Sequence, residues 1–444
     1  MKTTRYYSHR DFCRVIVQAE TPLAIGTGEK SILSDATVVT DVNGLPYIPG
    51  TSLAGVIRSQ LVSSMDTDNI FGFQEKDKGH GSFIVFSDAM MIGSDGKPVE
   101  GLLDSKDNDE FYSLFRELPI RQHVRINSKG TGEKNGKFDN VVVYKGCRFC
   151  FEMEFISDGS LSNDFSQVKN TLLHSTFRVG GNTRSGLGKL KVVRMQTASL
   201  DLNKQEDLEA FVNKSASLSS NWDRYEDVST EVQKDDNYIT YTLNLKPDDF
   251  FLFGSGMGDD EADATPVSET VVEWNEGRPS VVTENILIPG SSIKGALAHR
   301  TAYHWNKNAK LYADDNKGLS CNENPAVQTL FGYVDSTGKK VECGHVFVDD
   351  LLLSKQNDKI FNHVAIDRFT GGSMDGALFT EKTTNGKKCD LTVNIAVERK
   401  ALENDEVKKA FEMSLDDICN GILPLGGGVN RGHGIFSGTI KKEE

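Results

Sequence analysis

Two short segments contain the residue types that bind phosphate at the start of a helix. Residues 47–58 read YIPGTSLAGVIR and residues 287–298 read LIPGSSIKGALA. In each, Pro-Gly and hydroxyl residues precede helical spacing, and the free N–H groups of a helix start attract phosphate. The second glycine, Gly55 or Gly295, is expected to let a neighbouring backbone come close. The alternative is a helix start packed only against its own sheet. The side chains predicted to contact RNA phosphates are Ser52, Arg58, Ser292, Lys294 and Arg300.

Two glycine-rich loops form a second pair of candidate phosphate sites. GGNTRSGLG begins at Gly180 and GGGVNRGHG at Gly426, and each combines consecutive N–H groups with one arginine, a combination suited to phosphate. Neither is a nucleotide-hydrolase loop, because no Gly-Lys-Ser/Thr follows, and no dinucleotide-binding fingerprint comes after the first strand-like run. Taken alone, such a loop is more often an ordinary turn. The residues predicted to bind RNA here are Arg184, Gly186, Arg431 and Gly432.

Residues 121–148 form the most basic part of the chain. Seven basic residues stand against Glu133 and Asp139, a net charge of +5 within a chain of −14. The stretch 363–388 is less basic but shares the apolar start and the Gly/Thr-rich middle. A protruding hairpin could wedge an apolar tip between bases while its cations hold phosphates; a merely solvated face is the alternative. We place the tips at 124–132 (hairpin 1) and 364–372 (hairpin 2) and predict RNA contacts from Arg121, Arg125, Lys129 and Arg368.

Carboxylates precede both helix starts and are the candidate catalytic groups. Asp35 stands in an irregular stretch before the first IPG run. A carboxylate beside a phosphate site opposes binding but suits metal-assisted or general acid–base cleavage of RNA. In the second half of the chain, aligning the Thr-Val-Val runs puts Ser268 opposite Asp35, with three aspartates upstream. From Asp259, Asp260 and Asp263 we choose Asp263 as the second candidate.

These segments recur in one order, which means that the chain contains one unit twice. The IPG runs and the hairpin tips are each 240 residues apart, and Phe-Gly at 71–72 recurs at 331–332. Each unit reads strand, helix, strand, strand, helix, strand, the ferredoxin-like order. We predict an α+β protein of two tandem ferredoxin-like (RRM-like) domains with inserted hairpins: domain 1 at 1–198, an acidic linker at 199–237 and domain 2 at 238–444.

The elements of each unit follow from its hydrophobic pattern. In domain 1 we expect strands at 12–20, 81–89, 147–156 and 187–195 and helices at 52–65 and 164–177. In domain 2 we expect strands at 238–246, 345–350, 390–398 and 435–442 and helices at 291–305 and 405–418.

Composition limits the partners and the compartment. The chain has 444 residues and a formal net charge of −14, which excludes a diffuse basic coat that grips polyanions everywhere and leaves room for a local basic groove. The first residues, MKTTRYYSHRDFCRVIV, carry charges where a signal peptide needs an apolar core. The seven cysteines are scattered, as in a reducing compartment. We expect a soluble, cytoplasmic protein with no membrane partner.

At these motifs the sequence resembles the RAMP superfamily of CRISPR-associated proteins. IPGTSLAG and IPGSSIKG look like its helix-opening motif, RVGGNTRSGLG and LGGGVNRGHG like its glycine loop, and HVAIDRFTGGSMDGALF like its thumb hairpin. The resemblance covers both units and is specific to backbone subunits of type III (Csm/Cmr-like) effector complexes. The tandem arrangement is similar to the fused subunits of III-D-like variants.

This resemblance implies a ribonucleoprotein role. The chain would bind a guide RNA and hold the guide–target duplex, beside other RAMP subunits and a large polymerase-like subunit, and each hairpin would displace one base. An aspartate before IPG would cut the target RNA with a divalent metal, Mg²⁺ or Mn²⁺. Asp35 matches that position, including its spacing to Val38, whereas the second unit departs from it.

Two other functions stay open. One is a structural guide-binding subunit without cleavage, which removal of Asp35 would reveal by changing nothing beyond affinity. The other is an endonuclease that processes the precursor guide RNA. It would need a general base near a glycine loop, and His433 is the one histidine there.

Overall fold

The computed structural model describes residues 7–28, 36–61, 65–103, 109–127, 130–159, 162–312, 318–335, 340–387 and 389–444. Domain 1 contains nine strands and four α-helices within these ranges. Its strands are β1 (His9–Ala19), β2 (Phe73–Glu75), β3 (Lys78–His80), β4 (Ile84–Phe86), β5 (Met90–Met91), β6 (Ile120–Ile126), β7 (Gly132–Val141), β8 (Arg148–Ser157) and β9 (Leu190–Asp201). Its helices are α1 (Gly50–Leu61), α2 (Thr67–Phe71), α3 (Glu110–Ser113) and α4 (Ser162–Leu173).

The main sheet of domain 1 has the strand order β9-β1-β8-β4, and all neighbours are antiparallel. The fourth strand of the unit therefore lies beside the first, and the third beside the second. Period-two alternation on β1 sends Val15 and Val17 into the core under α1 and α4. Phe155 of β8 stacks on Phe165 of α4 with ring centroids 5.3 Å apart. This is the predicted ferredoxin-like arrangement, with helices on one face.

Domain 2 repeats that arrangement. Its main sheet has the order β17-β21-β11-β22, the same topology read from the opposite edge. Leu297 of α6 and Phe411 of α8 are fully buried in its core, and Asn404 caps α8 by accepting from the N–H groups of Glu406 and Val407. The segment 199–237 contains α5 (Gln205–Val212) and β10 (Glu226–Asp227). The elements of domain 2 are β11 (Tyr238–Pro247), β12 (Phe250–Phe251), β13 (Ser268–Asn275), β14 (Arg278–Ile288), α6 (Gly290–Asn308), α7 (Pro325–Phe331), β15 (Gly332–Val334), β16 (Val341–Cys343), β17 (Val346–Val348), β18 (Leu351–Leu353), β19 (Asp358–Ile366), β20 (Ser373–Asn385), β21 (Leu391–Glu398), α8 (Asp405–Cys419) and β22 (Phe436–Glu443).

Residues 199–237, which the sequence marks as a linker, pack onto domain 1. Strand β9 continues to Asp201, and β10 pairs with it. Trp222 packs edge-on against Phe12 with ring centroids 5.5 Å apart, and Arg14 on the same sheet face donates to the carbonyl of Ser217 at 3.2 Å. The segment therefore covers the sheet face that lies opposite the helices.

The two domains touch through a hairpin and an ionic junction. The hairpin β13–β14 reaches back to domain 1, where Trp274 Nε1 donates to the carbonyl of Gly146 at 2.8 Å and Arg148 lies over the indole ring. At the ionic junction, Arg178 and Lys189 of domain 1 both contact Asp349 of domain 2.

Candidate nucleic-acid interface

Both IPG helices begin in the same way. The N–H of Gly50 donates to Asp88 Oδ1 at 2.8 Å, and the N–H of Gly290 donates to Asp350 Oδ1 at 2.7 Å. A side chain at Gly50 would collide with the backbone, because its Cβ would lie 2.7 Å from the carbonyl oxygen of Phe86. In each helix, a carboxylate at the end of the unit's second strand thus accepts from the first N–H group. That N–H group is one of those that the sequence analysis proposed for phosphate binding.

The second glycines of these helices behave differently from the expectation. Apart from their own helix backbone, no atom of the described residues lies within 4 Å of a Cβ built at Gly55 or Gly295, so the expectation that they accommodate a neighbouring backbone is wrong for the described part of the chain. It is the first glycine, Gly50 or Gly290, that the strand end approaches. Gly55 and Gly295 are exposed. Inside a helix, glycine lowers the stability by about 1 kcal/mol relative to alanine, and no contact among the described residues explains why glycine stands at these positions.

Glycine loop 1, which begins at Gly180, extends into domain 2. Arg184 donates from Nε to the carbonyl of Gly344, and its guanidinium lies 5.1 Å from the ring centroid of Phe347. Gly186 packs directly on Asp350, whose N–H donates to the Gly186 carbonyl at 3.4 Å. The loop is therefore held beside the start of α6.

Lys294 lies one turn into α6 and shares this place with Arg184. Burial, and then the charge of Arg184, lower the pKa of the Lys294 ammonium from the usual 10.5 to about 8. Within the described ranges no carboxylate pairs with Lys294. The structure thus brings together Arg184, Gly186 and Lys294, and exposed Ser292 lies at the same helix start. Neither Arg184 nor Lys294 is ion-paired among the described residues, so the two cations form a local positive site in a chain of charge −14.

The second glycine loop, which begins at Gly426, stays within its own domain. Arg431 donates to Glu381 of β20, which is buried. Gly432 has open space around it. His433, the candidate base of a guide-processing enzyme, is 7% exposed and packs against Phe361 with ring centroids 5.4 Å apart. Its imidazole is not presented to a substrate in this arrangement.

The two predicted hairpins protrude, and both have a β-bulge and a His–Phe ring stack at equivalent positions. Hairpin 1 is β6–β7 and hairpin 2 is β19–β20, and each has a bulge after the equivalent residue, Val124 or Val364. His123 stacks on Phe138 at 4.9 Å, and His363 stacks on Phe379 at 4.7 Å. Apolar side chains are exposed on both hairpins: Val124, Ile126 and Phe138 on the first, and Val364, Ile366, Phe369, Met374 and Leu378 on the second.

The cations predicted to bind RNA on the two hairpins divide into two groups. Arg125 and Arg368 are exposed on the hairpins and are free to contact RNA, whereas Lys129 lies outside the described residues. Arg121 does not face RNA: it is 6% exposed and donates to the two carboxylates of Glu269 and Asp350 in domain 2. A buried guanidinium between two acids is a structural contact, so the prediction that Arg121 binds RNA is wrong.

The other predicted cations are ion-paired. Arg300 donates to Asp417 of α8 at 2.5 Å, and His304 shares that carboxylate. Arg300 thus joins two helices of domain 2. Arg58 donates to Asp68 at 2.5 Å in an exposed pair, which costs little to break because solvent screens it. Ser52 is half-buried at the start of α1.

The segments that contain the two candidate catalytic aspartates can be related through nearby β-bridges. Asp35 lies outside the described residues. In domain 1 an isolated antiparallel β-bridge pairs Gly26 with Val38, and in domain 2 a corresponding bridge pairs Gly254 with Pro266. The same number of residues separates Gly26 from Gly254 and Val38 from Pro266. Adding that number to position 35 gives position 263. The Thr-Val-Val alignment, which points to Ser268, is therefore out of register with these bridges, and by sequence offset Asp263 is the counterpart of Asp35.

The surroundings of Asp263 hold its carboxylate in place. Asp263 Oδ2 accepts from the N–H of Thr380 at 2.7 Å and from its hydroxyl at 2.9 Å. These bonds keep the pKa of Asp263 below its usual value. The described part of the chain contains no group of three or more carboxylate, histidine or cysteine side chains that could hold a metal ion. A preformed metal cage is thus not part of the described site.

Comparison with known protein families gives a clear result. A family model described as the RAMP superfamily matches residues 16–191 and 251–437, one region in each domain. The chain belongs to the RAMP superfamily. RAMP proteins are CRISPR-associated and bind RNA, and some are ribonucleases. A search of curated proteins found no match. Across the described ranges, every helix falls short of the length and apolarity needed to cross a membrane.

Two features of these RAMP domains were not predicted from the sequence. One is the carboxylate that caps each IPG helix, Asp88 or Asp350, and the other is the His–Phe stack of each hairpin. The signal for the stack is visible, because His123 and His363 are separated by the same 240 residues as the hairpin tips. The caps lie at a different offset, since the insertions between units differ.

Proposed function

We propose that the chain is a two-domain backbone subunit of a type III CRISPR effector complex of the III-D-like variant, and that it binds the phosphates of a guide RNA. Membership of the RAMP superfamily supports the RNA-binding part. The tandem domains in direct contact support the backbone part, because one chain would supply two adjacent RNA-binding segments in a fixed order. Other RAMP subunits, a large polymerase-like subunit and a target RNA complete the proposed assembly.

The observation that carries this proposal is the pair Arg184 and Lys294 at the domain junction. The Lys294 ammonium is charged at neutral pH although burial and Arg184 oppose its charge. Lys294 is partly buried, and a charge shielded from water without a partner is costly, so its presence supports a ligand that compensates it. A phosphate of an RNA backbone has the required charge, and the exposed start of α6 supplies the hydroxyl of Ser292 nearby.

The hairpins support a role on the bases. Phe369 is 97% exposed at the tip of hairpin 2, and aromatic or apolar side chains on a protruding element stack on or separate bases. Arg125 and Arg368 stand beside these tips. The proposed arrangement is phosphates at the helix start and glycine loop, with bases at the hairpins.

Target-RNA cleavage is a second proposed activity, favoured by the equivalence of Asp35 and Asp263. A carboxylate kept ionised by Thr380 suits cation binding better than proton abstraction, since a general base works best with a pKa near the working pH. A divalent ion such as Mg²⁺ commonly uses one or two carboxylates and takes its other ligands from water and substrate phosphates. Asp35 and Asp263 would be those carboxylates. The matching test is cleavage by the assembled complex with and without chelator.

RNA binding is tested with the purified chain and a labelled single-stranded RNA. We expect affinity to fall steeply as salt rises, because phosphate contacts release counterions. Arg184→Ala should weaken binding, whereas Lys409→Met, which removes an exposed charge from α8, is the matched control and should not. Salt-independent binding, or equal effects of the two variants, would contradict the proposed phosphate site.

A further inference from the structure

Cys343 is the exposed thiol of the chain, and it lies beside the positive site at the start of α6. All seven cysteines fall within the described ranges, and each is a free thiol. The other six are buried or half-buried, and burial raises the pKa of each of those thiols. Cys343 is therefore the cysteine that a reactant from solution can reach.

The end of β16 holds Cys343 close to Lys294 and Arg184. Cys343 is the last residue of β16, and the carbonyl of the next residue, Gly344, accepts from Arg184 Nε. After burial, which is the largest influence, the charges of Arg184 and of the Cys343 thiolate both act on the pKa of Lys294. A thiol, an amine and a guanidinium thus meet at the domain junction. We call Cys343 and Lys294 the thiol–amine pair.

The amine of the pair is partly uncharged at neutral pH, the form in which a lysine attacks a carbonyl carbon. Burial first, and the charge of Arg184 second, lower the pKa of Lys294 to about 8. At pH 7 about one in ten such amines is uncharged, against roughly one in three thousand for an ordinary lysine. Desolvation beside another cation is a recognised way to make a lysine nucleophilic.

Domain 1 has neither group at its own IPG helix. The IPG runs align Lys294 with Ala54. The hairpin after each Phe-Gly places Gly81 where domain 2 has Cys343, because the N–H two residues later makes the same hydrogen bond in both domains. The shared fold therefore does not require the thiol–amine pair, which belongs to the junction site alone.

We propose that the thiol–amine pair takes an acyl group from a coenzyme A thioester and transfers it to Lys294. Two features of the site suit this reactant. Its phosphates are attracted by Arg184 and Lys294, which have no ion-pair partner among the described residues, and a cysteine thiolate is a strong nucleophile toward its thioester carbonyl. Lys294 is thus a modification site, and Cys343 is the residue that loads it.

The transfer takes two steps. In the first, the Cys343 thiolate attacks the thioester carbonyl carbon; a carbon–sulfur bond forms to Cys343, the bond to coenzyme A breaks, and coenzyme A leaves as a thiolate. In the second, the uncharged Lys294 amine attacks the same carbon, the bond to Cys343 breaks, and a proton of the amine passes to the departing thiolate. The products are an amide on Lys294 and a Cys343 thiol, and nothing is oxidised or reduced.

Acylation removes the positive charge of Lys294, because an amide nitrogen is not protonated at neutral pH. The consequence for RNA rests on the proposed function, in which Lys294 contacts a phosphate. Losing that charged contact should weaken RNA binding roughly 10- to 150-fold. The chain would then respond to acyl donors by releasing RNA at the junction.

The test incubates the folded chain with acetyl coenzyme A at neutral pH and follows the acetylation of individual lysines by peptide mass spectrometry. Lys294 should react at least about tenfold faster than Lys409, an exposed lysine of α8, because more of its amine is uncharged. Cys343→Ser should slow the reaction at Lys294 and leave that at Lys409 unchanged. Cys321→Ser, the matched control at a half-buried thiol, should slow neither.

A second variant traps the intermediate. Lys294→Arg keeps the charge but has no amine to accept the acyl group, so the acetyl group should stay on Cys343 as a thioester that hydroxylamine removes. Absence of that thioester, or equal acetylation of Lys294 with and without Cys343→Ser, would overturn the proposal. Neither measurement involves RNA. Acetylation by this route with unchanged RNA affinity would contradict the proposed phosphate contact and leave the acyl transfer standing.

Discussion

Replacing Lys294 by methionine should stabilise the free protein and weaken its binding to RNA. The pKa of Lys294 falls from 10.5 to about 8 on folding, which corresponds to roughly 3 kcal/mol of free energy against the charged form. Below about pH 8 the lysine is protonated in both states, so folding bears the full cost. Between the two pKa values the unfolded chain binds more protons, and stability therefore rises with pH. Lys294→Met removes the charge and should gain up to about 3 kcal/mol at neutral pH.

The same change should reduce RNA affinity. A hydrogen bond to a charged group contributes about 1.5–3 kcal/mol, so losing one phosphate contact should weaken binding roughly 10- to 150-fold. The slope of log affinity against log salt should become shallower by about 0.7, the value for one contact on a single strand. Raising the pH through about 8 should weaken RNA binding by the original chain, because the ammonium loses its proton.

The assay combines denaturant unfolding without RNA and fluorescence anisotropy with RNA at several salt concentrations. Lys294→Arg, which keeps the charge, should bind RNA with the salt slope of the original chain. Lys409→Met on α8 is the control for net charge. If Lys294→Met lowered stability and left RNA affinity unchanged, Lys294 would be a packing residue and the phosphate site at the junction would be refuted.

Four further predictions concern other parts of the molecule. Arg121→Ala should lower the unfolding free energy by about 3–5 kcal/mol, because it leaves two buried carboxylates without their cation; denaturant titration measures this. Phe369→Ser should change stability by less than about 0.5 kcal/mol at so exposed a site yet shift the reactivity of nearby RNA bases to chemical probes. Asp263→Asn and Asp35→Ala should each leave RNA affinity unchanged while one target cut disappears from the fragment ladder; an unaltered ladder would favour a non-cleaving subunit. Burial alone would raise the pKa of Asp349, but its two cationic partners lower it overall, so the stability it contributes should be lost as pH falls below about 3.8, which acid titration of unfolding can follow.

The repeat and the secondary structure could be predicted from the sequence because both depend on local patterns. The strand β11 (Tyr238–Pro247) follows from the alternation in YITYTLNLK, and α6 follows from the Pro-Gly-Ser-Ser start and helical spacing after it. Two such units in one order leave few topologies, and the ferredoxin-like order is the one found. The exposed hairpins could also be predicted, since the charged residues of their tips are costly to bury.

The sequence did not predict which charged side chains are buried in ion pairs and which are exposed. Arg121 and Arg125 are four residues apart in one basic run, yet one is buried between acids 148 and 229 residues away and the other is exposed. A run of positive charge indicates which face is basic on average, but pairing depends on which distant carboxylate arrives at each guanidinium.

The sequence by itself determined two α+β domains of one fold, their order, and the segments that carry glycine, hydroxyl and basic residues, since spacing and hydrophobic alternation are properties of the chain. Tertiary structure alone decided that Arg184 meets Lys294 across the junction, and that the linker covers a sheet face of domain 1. It also set the register of the bridges Gly26–Val38 and Gly254–Pro266, whose common offset leads from position 35 to Asp263. These facts depend on contacts between residues far apart in sequence, whose energies are settled only when burial and charge are brought together in space.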